Sequence, residues 1–236
     1  MRGPFESAVF PAVFDELALK SGLGKLEIRR LVIQENLERQ QDASCPAVRA
    51  MDWDDIFDTV AARLGVTLEA KAVKLANAHV RPPYAEVLGD ADQVLKQLAS
   101  PQRAIVVATK GLRKYQLPIL DALGLTPLFT HILTPDVNNA LKSDVAFYGD
   151  LPQLAELKIS VGDHYADDVV APKRFGFKAV WKVDRPHEAS GGKLEPPFAR
   201  PAHWEYLAGQ TVRPDAIIFS LRELPPVVER LEKEKV

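Results

Sequence analysis

The sequence predicts an α/β protein: a doubly wound parallel sheet preceded by a segment that is helical throughout. Two observations lead there. From about residue 84 onward, short apolar runs rich in Val and Ile alternate with amphipathic runs. That is the pattern of strands joined by crossover helices in a sheet covered on both faces. Between residues 11 and 80, by contrast, apolar residues recur only at helical spacing.

The helical half opens at Pro11, a residue suited to a first helical turn. Val13, Phe14, Leu17 and Ala18 repeat at helical spacing up to Gly22. From Leu26 to Gln41, Leu26, Ile28, Leu31, Val32 and Leu37 sit among Arg, Glu and Gln, a second amphipathic helix. Asp52 to Leu64 carries Ile56, Phe57, Val60 and Ala61 on one face and stops at Gly65. A fourth helix runs from Leu68 to Val80 and ends before Pro82-Pro83.

In the alternating half, a helix at 91–99 leads to an apolar strand at 104–108. A helix from about Lys114 to Leu123, a short strand at 131–133 and a helix at 145–156 follow. Strand 158–161, a helix near 168–175, strand 178–183 and strand 216–219 complete the series. Residues 185–203 hold four prolines and the pair Gly191-Gly192, the composition of a loop.

Composition narrows the function. At 236 residues the chain suffices for one large domain, or for a core with a smaller inserted one. A formal net charge of -2 offers no surface for nucleic acid or an anionic membrane. Cys45 is the only cysteine, which excludes an internal disulfide framework and a cysteine-based zinc site and fits a reducing cytoplasm. Met1 to Phe14 has one Arg and an apolar run broken by Glu6 and Pro11, so it is a poor signal peptide. No apolar stretch approaches the roughly 20 residues that span a bilayer. The expectation is a cytoplasmic protein acting on a small molecule; its oligomeric state is not legible.

Ligands of open α/β sheets sit beyond the carboxyl ends of the strands. Three places there carry chemistry. Thr109-Lys110-Gly111 follows the first clear strand, and a hydroxyl with backbone N–H groups makes a phosphate-sized anion cradle; taken alone, the same residues read more simply as a capping Thr with a turn Gly. Lys142, in Lys142-Ser143-Asp144, is either a point charge for a phosphoryl group or a solvated lysine before a helix capped by Ser143 or Asp144. In Ile159-Ser160-Val161-Gly162-Asp163 an apolar run stops at a glycine, and Asp163, Asp167 and Asp168 follow within six residues. Hard divalent cations want such oxygens, although acids in a first helical turn also complement the helix dipole. His164 and Tyr165, in the same turn, line a pocket mouth or an ordinary loop.

Together, in this order, these residues resemble the haloacid dehalogenase (HAD) superfamily of hydrolases. The family pattern is a Thr or Ser after the second core strand, a Lys before a later helix, then Gly-Asp followed by another Asp four or five residues on. Thr109, Lys142, Asp163 and Asp168 match, with Asp167 adjacent. So does the phrasing Val106-Val107-Ala108-Thr109-Lys110-Gly111, Leu123-Gly124-Leu125 and Phe175-Gly176-Phe177. The helical segment is similar to the α-helical cap many members insert. The resemblance implies a linker over 1–10, a cap over 11–82 and a Rossmann-type core over 83–236. It further implies a magnesium-dependent phosphatase acting on a small phosphate ester through an aspartyl phosphate. Thr109, Lys110, Gly111 and Lys142 would bind the phosphoryl group, Thr109 and Lys142 would be catalytic, and Asp163, Asp167 and Asp168 would hold Mg2+. A 2-haloacid dehalogenase, which needs no metal, and a catalytically inactive binding or scaffold protein are the alternatives.

One family motif does not match: a strand followed by Asp-x-Asp, whose first Asp is the nucleophile. Phe14-Asp15-Glu16-Leu17 has one Asp in a helical stretch. Asp52-Trp53-Asp54 has the spacing but begins a helix. The family's first strand lies between the strands that end here at Thr109 and Asp163. Its absence is expected to leave apolar strand edges uncovered, and the expectation is a natural start upstream of Met1. His79, Arg81 and Tyr84, near the return from the cap, read as a surface hinge or as substrate contacts.

Overall fold

A computed structural model describes residues 1–183 and 212–234. The loop expected over 185–203 lies outside the described residues. The chain divides into two compact units, Met1–Gly149 and Asp150–Val236.

The first unit begins with helices. A π-helical turn over Phe5–Val9 runs directly into α1, Phe10–Ser21. The linker expected over 1–10 is thus largely helical, because Ala8 and Val9 continue the buried stripe of Val13 and Leu17. Gly22 ends α1 in the left-handed region, at φ 76°, with its N–H bonded to Ala18 O. Next come α2 (Lys25–Gln41), a short α3 (Ala47–Ala50) that the periodicity does not announce, α4 (Trp53–Arg63) and α5 (Ala72–Ala78). Asp52 caps α4 by accepting from Asp54 N at 3.1 Å. The Asp54 carboxylate in turn accepts from Ala72 N at 2.5 Å and Val73 N at 3.4 Å. That cap starts α5 four residues later than the hydrophobic pattern alone does. Ile28, Ile56, Phe57 and Ala72 form one buried core with Leu112 and Tyr115.

The unit continues through α6 (Ala91–Leu98), β1 (Val106–Ala108), α7 (Arg113–Ala122), β2 (His131–Leu133) and α8 (Pro135–Asn138). β1 and β2 are parallel, with Ala108 opposite Leu133. Leu112 and Tyr115, at the start of α7, tie the turn after β1 to the helical core.

The helix expected over 145–156 is broken at Gly149, which sits at φ 54°. What forms instead is a 3-10 turn over Val145–Tyr148, capped by Asp144, and a separate α9 (Leu151–Leu154) in the second unit. There β3 (Ile159–Gly162), β4 (Lys178–Lys182) and β5 (Ala216–Ile218) form a parallel sheet in the order β3-β4-β5. α10 (Ala171–Arg174) packs on β4. A last helix, α11 (Leu224–Lys233), escaped the sequence reading. Its signal is a capping box: Arg222 N donates to Ser220 Oγ, and Ser220 N donates to Glu223 Oε1.

Among the described residues, two strands pair in parallel in the first unit and three in the second. β4 is paired on both edges, and Ala179, Val180 and Trp181 are fully buried. Among the described residues, β1 and β3 are each paired on one edge only, and both are half-buried despite their apolar sequence. These are the two strands between which the resemblance sets the family's first strand.

Candidate functional site

The carboxyl end of the two-stranded sheet is a pair of threonines. Thr109 N donates to Leu133 O at 3.0 Å, so pairing extends one residue past β1. Continued by one step, the register sets Thr109 beside Thr134, the residue that ends β2. Thr109 Oγ1 accepts from Gly111 N at 3.2 Å. That contact realises the turn reading of Thr109-Lys110-Gly111. It also fixes the hydroxyl oxygen as an acceptor inward and leaves its hydrogen to donate elsewhere. A side chain at position 111 would land on the Gln116 amide, which would have to move aside.

Thr134 was not singled out by sequence pattern. It is 0% exposed, and its Oγ1 has no hydrogen-bond partner among the described residues. It stands at the cap position of α8 without capping it. A buried hydroxyl left unpaired costs on the order of 1–3 kcal/mol, so this one marks a place where a polar ligand atom would be welcome. The signal was present in Leu133-Thr134-Pro135, a strand ending in Thr, but its meaning comes from the register.

Lys142 lies in the same unit, in a turn closed by Asp144 N donating to Leu141 O at 2.8 Å. It is 8% exposed. A lysine is seldom buried so deeply unless its charge is held, and the solvated-lysine reading does not describe it. Asp144, rather than Ser143, is the cap that follows, accepting from Ala146 N at 2.9 Å.

In the second unit, β3 ends at Gly162 and the acidic turn follows. Asp163 is exposed directly beyond the strand, and its carbonyl accepts from Trp181 Nε1 at 3.1 Å, which fixes the backbone there to β4. Asp168 is 5% exposed and points back onto the turn. Its Oδ2 accepts from His164 N at 2.8 Å, and its own N–H donates to His164 O at 2.8 Å. A Cβ at position 162 would overlap the Asp168 carboxylate, which is why the strand ends in glycine. Asp167 pairs with His164 Nδ1 at 2.8 Å. His164 is thus a partner of the acidic turn, and Tyr165 donates its hydroxyl to Val212 O and packs on Trp181.

The structure does not gather Asp163, Asp167 and Asp168 into a cluster of three that could hold a metal ion, among the described residues. Magnesium does not require one. It keeps several waters and takes one or two carboxylates, with phosphate oxygens completing its shell. Asp163 fits that need, whereas Asp168 holds the turn in shape.

The rejected Asp-x-Asp candidates have structural work. Asp15 lies within α1 and pairs with Lys25. Asp52 accepts from the Tyr115 hydroxyl at 2.7 Å and from Lys114 Nζ at 2.8 Å, as well as capping α4. Burial first, and the bond to Asp52 second, push the Tyr115 phenol far above its ordinary pKa. His79 and Tyr84 pack edge to face at 4.7 Å, and His79 Nδ1 meets Leu75 O at 2.8 Å, so both shape the turn after α5.

Solved structures share this architecture over nearly its whole length. An HAD phosphatase from Thermococcus onnurineus matches with a TM-score of 0.61 at 22% identity, covering 93% of this chain and 87% of its own. The chain has the fold of the HAD superfamily. YfnB from Bacillus subtilis, an HAD hydrolase crystallised with magnesium, matches with a TM-score of 0.63 at 12% identity, over 97% of this chain and 94% of its own. The L-2-haloacid dehalogenase from Xanthobacter autotrophicus gives 0.58 at 20% identity, over 93% of each chain. HAD-fold neighbours thus include both phosphate and halide chemistries. No protein-family model matches the chain, and no curated protein matches it in sequence.

Proposed function

We propose that this HAD-fold protein is a phosphohydrolase of small phosphate monoesters. The observation that carries the reading is Lys142. It stands where the sequence pattern calls for a phosphate-balancing cation, and it is buried rather than solvated. Thr109 supports it, with a hydroxyl hydrogen left to donate to an anion at a strand end. In this reading Thr109 bonds a phosphoryl oxygen, the Lys110–Gly111 turn closes around it, and Lys142 offsets its charge. In the second unit, Asp163 is the residue that would hold Mg2+, a cation whose chemistry is charge neutralisation. Asp168 acts through the turn, by holding Asp163 in place.

A second reading, a phosphate-binding protein without turnover, is favoured by one observation. The covalent route needs a carboxylate nucleophile at a strand end, and no Asp-x-Asp stands at a strand end among the described residues. The two are separated by assaying the protein for phosphate release from phenyl phosphate, and for halide release from 2-chloropropionate, with magnesium. The proposal expects phosphate release that Asp163→Ala abolishes, and no halide. Halide without phosphate would overturn it in favour of a dehalogenase. Phosphate binding with neither product would leave the binding protein.

A further inference from the structure

We infer that the first unit recognises the organic part of its ligand in an aromatic pocket suited to an aryl or heteroaryl phosphate monoester. This rests on the phosphohydrolase reading and names its substrate class.

A cavity of about 390 Å³ opens beside Lys110 and Gly111 and extends to Phe5, Phe10, Trp53 and Tyr115. The rings brace one another. Phe10 meets Trp53 edge to face at 4.9 Å, and Phe5 meets Phe10 at 5.7 Å and Tyr115 at 5.3 Å. Trp53 is also stacked on the buried Phe57 at 5.8 Å. Rings fixed this way present a stiff apolar wall, which takes a flat ring in offset or edge-on contact at little entropic cost.

Polar residues line the same cavity. The Gln116 amide lines the cavity over Gly111 and makes no hydrogen bond to a described residue. Gln40 donates through Nε2 to Asn36 Oδ1 at 2.8 Å, which leaves its carbonyl oxygen as an acceptor. Trp53 Nε1 likewise has no partner among the described residues. A small number of placed polar groups in an otherwise apolar cavity is how small-molecule sites fix orientation. Glu6 also lines the cavity, and a negative charge there disfavours a second anionic group on the ligand.

Size separates this ligand from a haloacid. A cavity of about 150 Å³ already holds benzene, and a three-carbon 2-haloacid is no bulkier. The observed volume falls in the range of roughly 300–1,000 Å³ typical of small-molecule sites. A haloacid would leave the aromatic wall bare; a ring with a phosphate covers it.

The test is calorimetric titration of the full chain, with magnesium, using phenyl phosphate, ethyl phosphate and inorganic phosphate. Phenyl phosphate is expected to bind about tenfold or more tightly than the other two, the order that burying one ring supplies. In Trp53→Leu, checked for folding by circular dichroism, that advantage is expected to fall below about threefold. Equal affinities for all three ligands in the wild-type chain overturn the inference and leave the phosphohydrolase reading standing. An undiminished preference in a folded Trp53→Leu overturns the inference too. Failure of all three ligands to bind overturns the reading itself. The wild-type comparison decides the matter even if the variant does not fold.

Discussion

Thr134 carries the sharpest test at the scale of single residues. Its buried hydroxyl has no partner among the described residues. If the hydroxyl only fills space, Val in its place removes an unsatisfied group without changing shape, which is neutral or stabilising. If it belongs to the phosphate site beside Thr109, the same change weakens ligand binding. The account expects both in Thr134→Val: stability raised by about 1 kcal/mol in urea denaturation, and a weaker affinity for inorganic phosphate. Unchanged phosphate affinity would remove Thr134 from the site. This residue also shows where sequence stops. Lys142 and Asp168 were found from local phrases, Lys-Ser-Asp and Gly-Asp with a later Asp. Their burial, and the neighbourhood of Thr109 and Thr134, depend on strand register and on how the turns fold back. Neither is written in any local run.

Elements were legible where periodicity and punctuation agree. α1, α2 and α4 end close to the expected places because Gly22, the change of composition after Gln41 and Gly65 mark them. They were misread where a distant contact decides. α5 begins late because Asp54, eighteen residues earlier, caps it. The run 145–156 has helical spacing, but Gly149 breaks it. β5 owes its place to Asp215, whose backbone N–H donates to Ala179 O while its carboxylate accepts from Ala179 N and Lys173 Nζ. Burial works against that ionised carboxylate. The Lys173 ammonium, the Ala179 N–H and Lys178 outweigh it and hold the carboxyl below its usual range. A carboxylate depressed in the native state stabilises the fold above its unfolded pKa of about 3.9, and that contribution is lost as pH falls through the native value. Asp215→Asn is therefore expected to cost about 1 kcal/mol at pH 7 in urea denaturation. The gap from wild type persists down to about pH 4 and closes at lower pH. A gap independent of pH would mean that charge is not what Asp215 contributes.

At the scale of the molecule, the α/β class, the helical first part and parallel strand pairing were all readable, because hydrophobic period reports burial directly. Pairing is a long-range property, and the described strands hydrogen-bond as two sheets with β1 and β3 at their edges. That arrangement predicts a gradient of protection in the second unit. The amides of Val180 and Trp181, in a strand paired on both sides, should exchange hydrogen much more slowly than those of Ser160 and Val161 in β3. Equal protection would mean that β3 is covered on its other edge. The HAD fold by itself leaves the chemistry open, since function lives in the site and not in the fold. In the proposed function Thr109 helps this fold hold a phosphoryl group. Titrating inorganic phosphate into the wild-type chain and into Thr109→Val puts that role to the test. Saturable binding is expected in the wild type and at least about tenfold weaker binding in the variant; equal affinities, or no binding to the wild type, would rule the role out.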